Sequence, residues 1–255
     1  MTKRLKAIEL FLAVGLTAGL AVGITACGTT ATDTPEVESV EPDAAAPVAE
    51  GGEGGEGGES ADYSAGEQAN ADFEDKLSGA ELLSALKEGG HVIYFRHGKT
   101  NKDYADQADA NMKLDDCETQ RKLSPEGIEE SEEIGASFTA KEIPVGKVIS
   151  SEYCRAWQTA DLAFGKYERN AKLNFLPFED YTDAQVEEMK ANVTPFLTEV
   201  PEAGTNTVIV GHDDIFEAAT GIYPDPQGIA YVLTPDGKGS FTLVANVLPE
   251  EWGEL

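Results

Sequence analysis

The run His91-Val92-Ile93-Tyr94-Phe95-Arg96-His97-Gly98-Lys99-Thr100 decides how this chain folds. Its unbroken apolar centre, closed by a glycine turn, reads as a strand buried on both faces, the habit of parallel sheets covered by helices. A second run, Asn206-Thr207-Val208-Ile209-Val210-Gly211-His212-Asp213-Asp214, repeats the pattern and delivers another histidine. In a third, Val148-Ile149-Ser150-Ser151-Glu152-Tyr153-Cys154-Arg155-Ala156, the strand ends at the two serines and a helix then carries Arg155. Strands alternating with helices predict an α/β chain built as a three-layer αβα sandwich around a mostly parallel sheet. Ligands of such sheets sit just beyond the carboxyl ends of the strands. Arg96, His97, Arg155 and His212 therefore meet if the three strands are neighbours.

Those residue types suit phosphoryl transfer. A guanidinium fork matches a tetrahedral oxyanion and stays charged at every physiological pH. Arg96 and Arg155 would neutralise a phosphate dianion between them. A neutral imidazole, His97, is a competent nucleophile toward phosphorus, and His212 would donate to an equatorial oxygen. Strand alternation points Arg96 and His97 apart, so a turn at Gly98 is expected to re-aim one of them. Trp157 and Tyr153 read as packing residues, and His91 as structural.

The triplet Arg96-His97-Gly98, the serine pair with Arg155-Ala156 and Thr159-Ala160, and Gly211-His212 resemble the histidine phosphatase superfamily, which includes the phosphoglycerate mutases. The segment from Gln120 to Gly135 resembles the stretch before that family's first connecting helix, and the likeness runs from about residue 77 to 255. The resemblance implies a phosphoglycerate mutase-like fold and a phosphohistidine at His97. Arg96, Arg155 and His212 would form the phosphate pocket, and neither metal nor cofactor takes part. It also implies an acid for the leaving oxygen. Glu179, in Leu176-Pro177-Phe178-Glu179-Asp180-Tyr181-Thr182, is the first choice, and Asp213, directly after the second histidine, is the second. Asp213 and Asp214 read equally well as residues favoured at a helix N-terminus. Lys99 stands where many relatives have an acidic residue and would help recruit an anion. Asp103, where mutases often carry asparagine, speaks against a mutase, as does the want of a long substrate-binding insertion. The expected activity is a metal-independent phosphomonoesterase. The alternative from another class is a phosphate-ester binding or sensor domain without turnover.

Residues outside that region set the location. Lys3, Arg4 and Lys6 precede an apolar stretch from Leu10 to Ala26, a secretory signal pattern too short for a spanning helix. Its end, Ile24-Thr25-Ala26-Cys27-Gly28, resembles a bacterial lipobox, which implies a lipid on Cys27 and an exported, membrane-anchored protein. From Gly28 to Asp75 there are 14 acidic residues and no lysine or arginine. Such a segment buries too little to offset its chain entropy, so 27–75 is expected to be a disordered tether, spanning about 35–42 Å as a random coil. The expected division is signal peptide 1–26, tether 27–75 and catalytic domain 76–255.

The net charge of −28 argues against nucleic acid as a partner. A small phosphate ester or a phosphoprotein is the expected substrate, and the membrane is met through the lipid alone. No nucleotide-binding glycine loop and no HExxH or CxxC spacing occurs in the sequence. With Cys27 lipidated, Cys117 and Cys154 remain, and in an exported chain an even pair suggests a disulfide beside Arg155. A capping box at Ser78 and Glu81 predicts a first helix ending at Gly89-Gly90. Ser124-Pro125 predicts a second, running through Ile128, Ile134 and Phe138 to Ile143-Pro144. Another is expected from Asp183 to about Leu197. The runs from Gly228 to Thr234 and from Ser240 to Val247 predict a hairpin at the sheet edge.

Overall fold

Parallel strands bring the histidine-bearing turns to one edge of a six-stranded sheet. The computed structural model describes residues 64–101, 111–176 and 181–255. The signal stretch 1–26, Cys27, most of the expected tether, Asp103 and Glu179 lie outside the described residues.

The strands are β1 (Val92–Arg96), β2 (Val145–Ser150), β3 (Glu168–Arg169), β4 (Asn206–Gly211), β5 (Ala230–Pro235) and β6 (Phe241–Val247). Their order is β3-β2-β4-β1-β5-β6. β1, β2, β3 and β4 pair in parallel, while β5 and β6 add an antiparallel hairpin at the other edge. Every residue of β1 and β4 is buried, as the apolar runs require of central strands. Alternation then divides each strand between two cores. Ile93, Phe95, Val208 and Val210 face one layer with Leu82, Leu86, Ile134, Phe138, Ala156 and Trp252. Val92, Tyr94 and Ile209 face the other with Met189, Val193, Leu197, Ile215 and Phe216. The chain is a mixed α/β fold in three layers.

The helices are α1 (Ala65–Ala71), α2 (Gly79–Glu88), α3 (Pro125–Ala140), α4 (Cys154–Phe164), α5 (Asp183–Thr198) and α6 (Asp213–Thr220). Several differ from expectation for physical reasons. The tether does not extend to residue 75. Ser64 and Glu67 close a capping box on α1, and the segment after it is tied down. Asn70 Nδ2 donates to Asp225 O at 2.9 Å, Tyr223 N to Gly66 O at 3.0 Å, and Phe73 meets the Tyr231 ring edge-on at 5.2 Å. Residues 64–75 thus belong with the folded part, which was hidden because the acidic glycine repeat dominates the average composition.

Helix α2 begins after Ser78, but the Ser78 side chain makes no cap hydrogen bond, so the expected capping box is not formed. α3 stops at Ala140, short of Ile143. Glu142 takes φ 56°, and the amides of Glu142 and Ile143 bond back to Thr139 O and Phe138 O at 3.2 and 3.0 Å. That is a Schellman stop with a glutamate in the place usually held by glycine. Ile128, expected on the buried stripe of α3, is instead 40% exposed. Among the described residues no helix is long and apolar enough to cross a membrane.

Candidate functional site

Register levels the ends of three strands. Arg96 of β1 lies opposite Gly211 of β4, and Ser150 of β2 opposite Val210. The next amides continue the ladder, His97 N to Gly211 O and Ser151 N to Val210 O, both at 3.0 Å. His97, Ser151 and His212 therefore leave the sheet side by side, at its carboxyl edge.

Both histidines are buried, and their rings meet edge to face with centroids 5.4 Å apart. His97 Nδ1 lies 2.9 Å from Gly98 O, which can only accept, so Nδ1 carries the hydrogen. Arg155 Nε donates to His97 Nε2 at 3.1 Å, so Nε2 presents a lone pair. Burial, then the charges of Arg155 and Arg96, hold this imidazole well below its usual range and keep it neutral. A neutral Nε2 is the form that attacks phosphorus.

Gly98 serves this geometry by closeness rather than by a left-handed turn. A Cβ there would meet Gly127 O and Ser131 Oγ at 3.0 Å and Thr159 Oγ1 at 3.2 Å. Its amide donates to Thr159 Oγ1 at 2.9 Å, which seats the loop between α3 and α4. A tight approach to two helices is what requires glycine at this point of the chain.

Arg155 enters from the first turn of α4. Its guanidinium stacks on the Tyr153 and Phe175 rings at 4.9 and 5.3 Å. Cys154 is bonded to Cys117, with Sγ atoms 2.01 Å apart and a Cα separation of 5.7 Å. Gln120 Oε1 accepts from Cys154 N at 2.8 Å, a second tie on the same turn. A cavity of about 420 Å³ adjoins the bridge, lined by Cys117, Leu123, Cys154, Trp157 and Leu162 among others. None of His97, His212, Arg96 and Arg155 lines it.

His212 is held from three sides. The Tyr94 hydroxyl donates to His212 O at 2.7 Å and accepts from His212 N at 2.9 Å. Tyr153 and Phe175 pack edge-on against its ring at 5.1 and 4.7 Å. Its Nε2 lies 2.8 Å from Ser151 Oγ. Burial first, and Arg155 next, lower its proton affinity well below the usual histidine range.

Arg96 is gripped by acceptors. Its Nη1 donates to Pro224 O at 2.9 Å and Asp225 Oδ1 at 3.0 Å, and its Nη2 lies 2.5 Å from Asp213 Oδ2. The Tyr223 hydroxyl accepts from Arg96 at 3.3 Å and donates to Asp213 at 2.8 Å. Arg96 Nε is buried with no hydrogen-bond partner among the described residues. A donor so placed is one an anion would satisfy.

The same grip decides the state of Asp213. Burial alone would raise it, but Arg96 overrides this and brings it down to about 2. Asp214, one residue on, is half-buried and faces that carboxylate, and its affinity for a proton rises to about 7. The second-choice acid is thus held ionised by Arg96, and its neighbour holds the proton. Both sit in the first turn of α6, as the helix reading expected. Lys99 Nζ lies 2.5 Å from Glu126 Oε1 on the surface, so much of its charge is met locally. His91 pairs with Thr234 Oγ1 at 3.0 Å, away from the pocket. Among the described residues no cluster of His, Cys, Asp and Glu is suited to a metal.

No family model matches the chain, and no curated protein is significantly similar to it. Solved structures are similar at low identity. One is the protein histidine phosphatase SixA complexed with tungstate, 16% identical at TM-score 0.45 over 63% of this chain and 98% of that one. Another is a phosphoserine phosphatase from Entamoeba histolytica in complex with 3-phosphoglyceric acid, 14% identical at TM-score 0.47, over 61% of this chain and 95% of that one. A third is Mycobacterial hydrolase 1, 14% identical at TM-score 0.45, over 61% and 97%. Residue roles do not transfer at such identity.

Tyr94 and Asn174 join the site without a signal in sequence, and Asp214, expected only as a helix N-terminal residue, joins it as the protonated neighbour of Asp213. Tyr94 sits in a strand where it reads as core, and Asn174 in a turn with no motif around it. Only the paired carboxyls after His212 carried a signal.

Proposed function

We propose that this protein is a metal-independent phosphomonoesterase that works through a phosphohistidine on His97. The observation that carries the reading is the fixed tautomer of His97: its Nδ1 hydrogen is committed to Gly98 O, and its Nε2 lone pair faces Arg155. In the first step His97 Nε2 bonds to phosphorus and the P–O ester bond breaks, the alcohol oxygen taking a proton. In the second, water cleaves the N–P bond, returning the imidazole and releasing phosphate. Arg155, moving from Nε2 to the phosphoryl oxygens, and Arg96 through its unpartnered Nε would balance the charge.

The leaving-group proton is drawn from Asp213 and Asp214 as a unit, since one proton is held between them near neutral pH. Glu179 is the other source, and Asp213→Asn against Glu179→Gln separates the two by which one slows an unactivated alkyl ester more than an aryl ester. A phosphate-binding domain without turnover is the second reading, favoured by the Arg96–Asp213 pair, which leaves the acid ionised. Small phosphate esters and phosphoproteins both remain within the substrate class.

Export and lipidation of Cys27 belong to the same proposal. The cystine between Cys117 and Cys154 supports an oxidising compartment. Cys27→Ser should release the protein from the membrane fraction. Activity is tested on the full chain with an aryl phosphate: His97→Ala should abolish turnover and Arg155→Ala should remove most of it. Wild-type rates in either variant would overturn the assignment.

A further inference from the structure

We infer that Asn174 and Ser151 act together as positioning residues that decide which nitrogen of His212 is left to meet the phosphoryl group. The inference rests on the function proposed above, but its geometry stands apart from it. Asn174 follows the 3-10 turn Ala171–Leu173. Its Nδ2 donates to Glu152 Oε2 at 2.9 Å and its Oδ1 accepts from Glu152 N at 2.9 Å. A carboxylate and a backbone amide allow only that orientation of the side chain. Oδ1 therefore also faces Ser151, and Ser151 Oγ donates to it at 2.9 Å.

Ser151 has one hydrogen, and Asn174 takes it. The hydroxyl also accepts from Tyr153 N at 3.1 Å. What it keeps is a single acceptor lone pair, and His212 Nε2 lies 2.8 Å away. Nε2 must donate, so the neutral ring carries its hydrogen there and leaves Nδ1 bare. His212 Nδ1 is indeed buried with no partner among the described residues.

A bare nitrogen repels a phosphoryl oxygen. His212 therefore gains a proton at Nδ1 as a phosphate dianion enters, and donates from it. The groups facing it account for the timing. Arg96 and His97 at the end of β1 and Arg155 on α4 disfavour a third positive charge. Asp213 on α6 is spent on Arg96, and Glu152 is turned to Asn174. An entering dianion reverses that balance. Phosphate and proton bind as a pair, and Asn174 directs the proton to the nitrogen that needs it.

The test uses the full chain and inorganic phosphate between pH 8 and 9, where phosphate is already the dianion. Wild-type affinity should fall about tenfold per pH unit, the slope of one linked proton. In Asn174→Leu the Ser151 hydroxyl is released to donate to Nε2, the hydrogen moves to Nδ1, and the slope should flatten. Ser151→Ala, a smaller change, should flatten it too and covers the case in which the leucine variant does not fold. Imidazole nitrogen NMR should find His212 as the Nε2–H form in the wild type and shifted toward Nδ1–H in Asn174→Leu. An unaltered slope and an unaltered tautomer in both flattening variants overturn the inference. Loss of the phosphatase reading looks different: His97→Ala would hydrolyse esters normally while the tautomer result stood.

Discussion

At the scale of single residues, the site depends on groups held against their ordinary protonation. Asp214 is the clearest case. Its proton affinity is raised to about 7 by burial and then by the Asp213 carboxylate, while the unfolded chain ionises near 4. Between those values the folded state holds a proton that the unfolded state has lost, so the contribution of Asp214 to stability declines as pH rises from about 4 through 7 and is flat above. Asp214→Asn should therefore stabilise the chain at pH 8 by on the order of 1–3 kcal/mol and change little at pH 4. Thermal melts at the two pH values check this. A loss of activity in that same, more stable variant would mark Asp214 as functional. Sequence placed Asp213 and Asp214 at the helix start correctly, but it could not say which one keeps a proton. That choice is made by Arg96, whose arrival 2.5 Å from Asp213 is a fact of three-dimensional packing.

Elements show where pattern reading succeeds and where it stops. Strands β1 and β4 were legible because a strand buried on both faces leaves an uninterrupted apolar run, and the histidines fell at its ends. The stop of α3 at Ala140 was not, because a glutamate at φ 56° gives no glycine signal. α1 was hidden inside an acidic segment whose average composition argued for disorder. Yet α1 matters to the pocket: Asn70 and Gly66 hold the loop of Tyr223, Pro224 and Asp225, which in turn grips Arg96. Replacing Asn70 and Phe73 together by alanine in the full chain should cost about 1–3 kcal/mol, from two side-chain hydrogen bonds, to Asp225 O and from the Tyr231 hydroxyl, and a half-buried ring. The Michaelis constant for an aryl phosphate should rise as Arg96 loosens. An unchanged denaturation midpoint and unchanged kinetics would show that α1 is a passive end of the tether.

The whole molecule is strongly acidic, with a net charge of −28, yet it buries two guanidinium groups and two neutral imidazoles together at the end of its sheet. Those imidazoles carry a cost in acid. Both have lowered folded values against an unfolded value near 6.5, so the unfolded chain binds protons first and stability falls as pH drops below that point. Asp214 opposes them over the same range, at about 1.4 kcal/mol per pH unit for each group, and two outweigh one. Stability should drop by about 1 kcal/mol between pH 6.5 and 5.5, and more steeply in Asp214→Asn, as chemical denaturation at each pH will show. The proposed reaction depends most on His97 Nε2 as the atom that takes the phosphoryl group. Incubating the full chain with a phosphate ester labelled in its phosphoryl group, quenching, and mapping the label answers it directly. Label bound to His97, absent from His97→Ala and unstable in acid, is the predicted result. Turnover of the ester with no label on the protein, or with label on another residue, would contradict it.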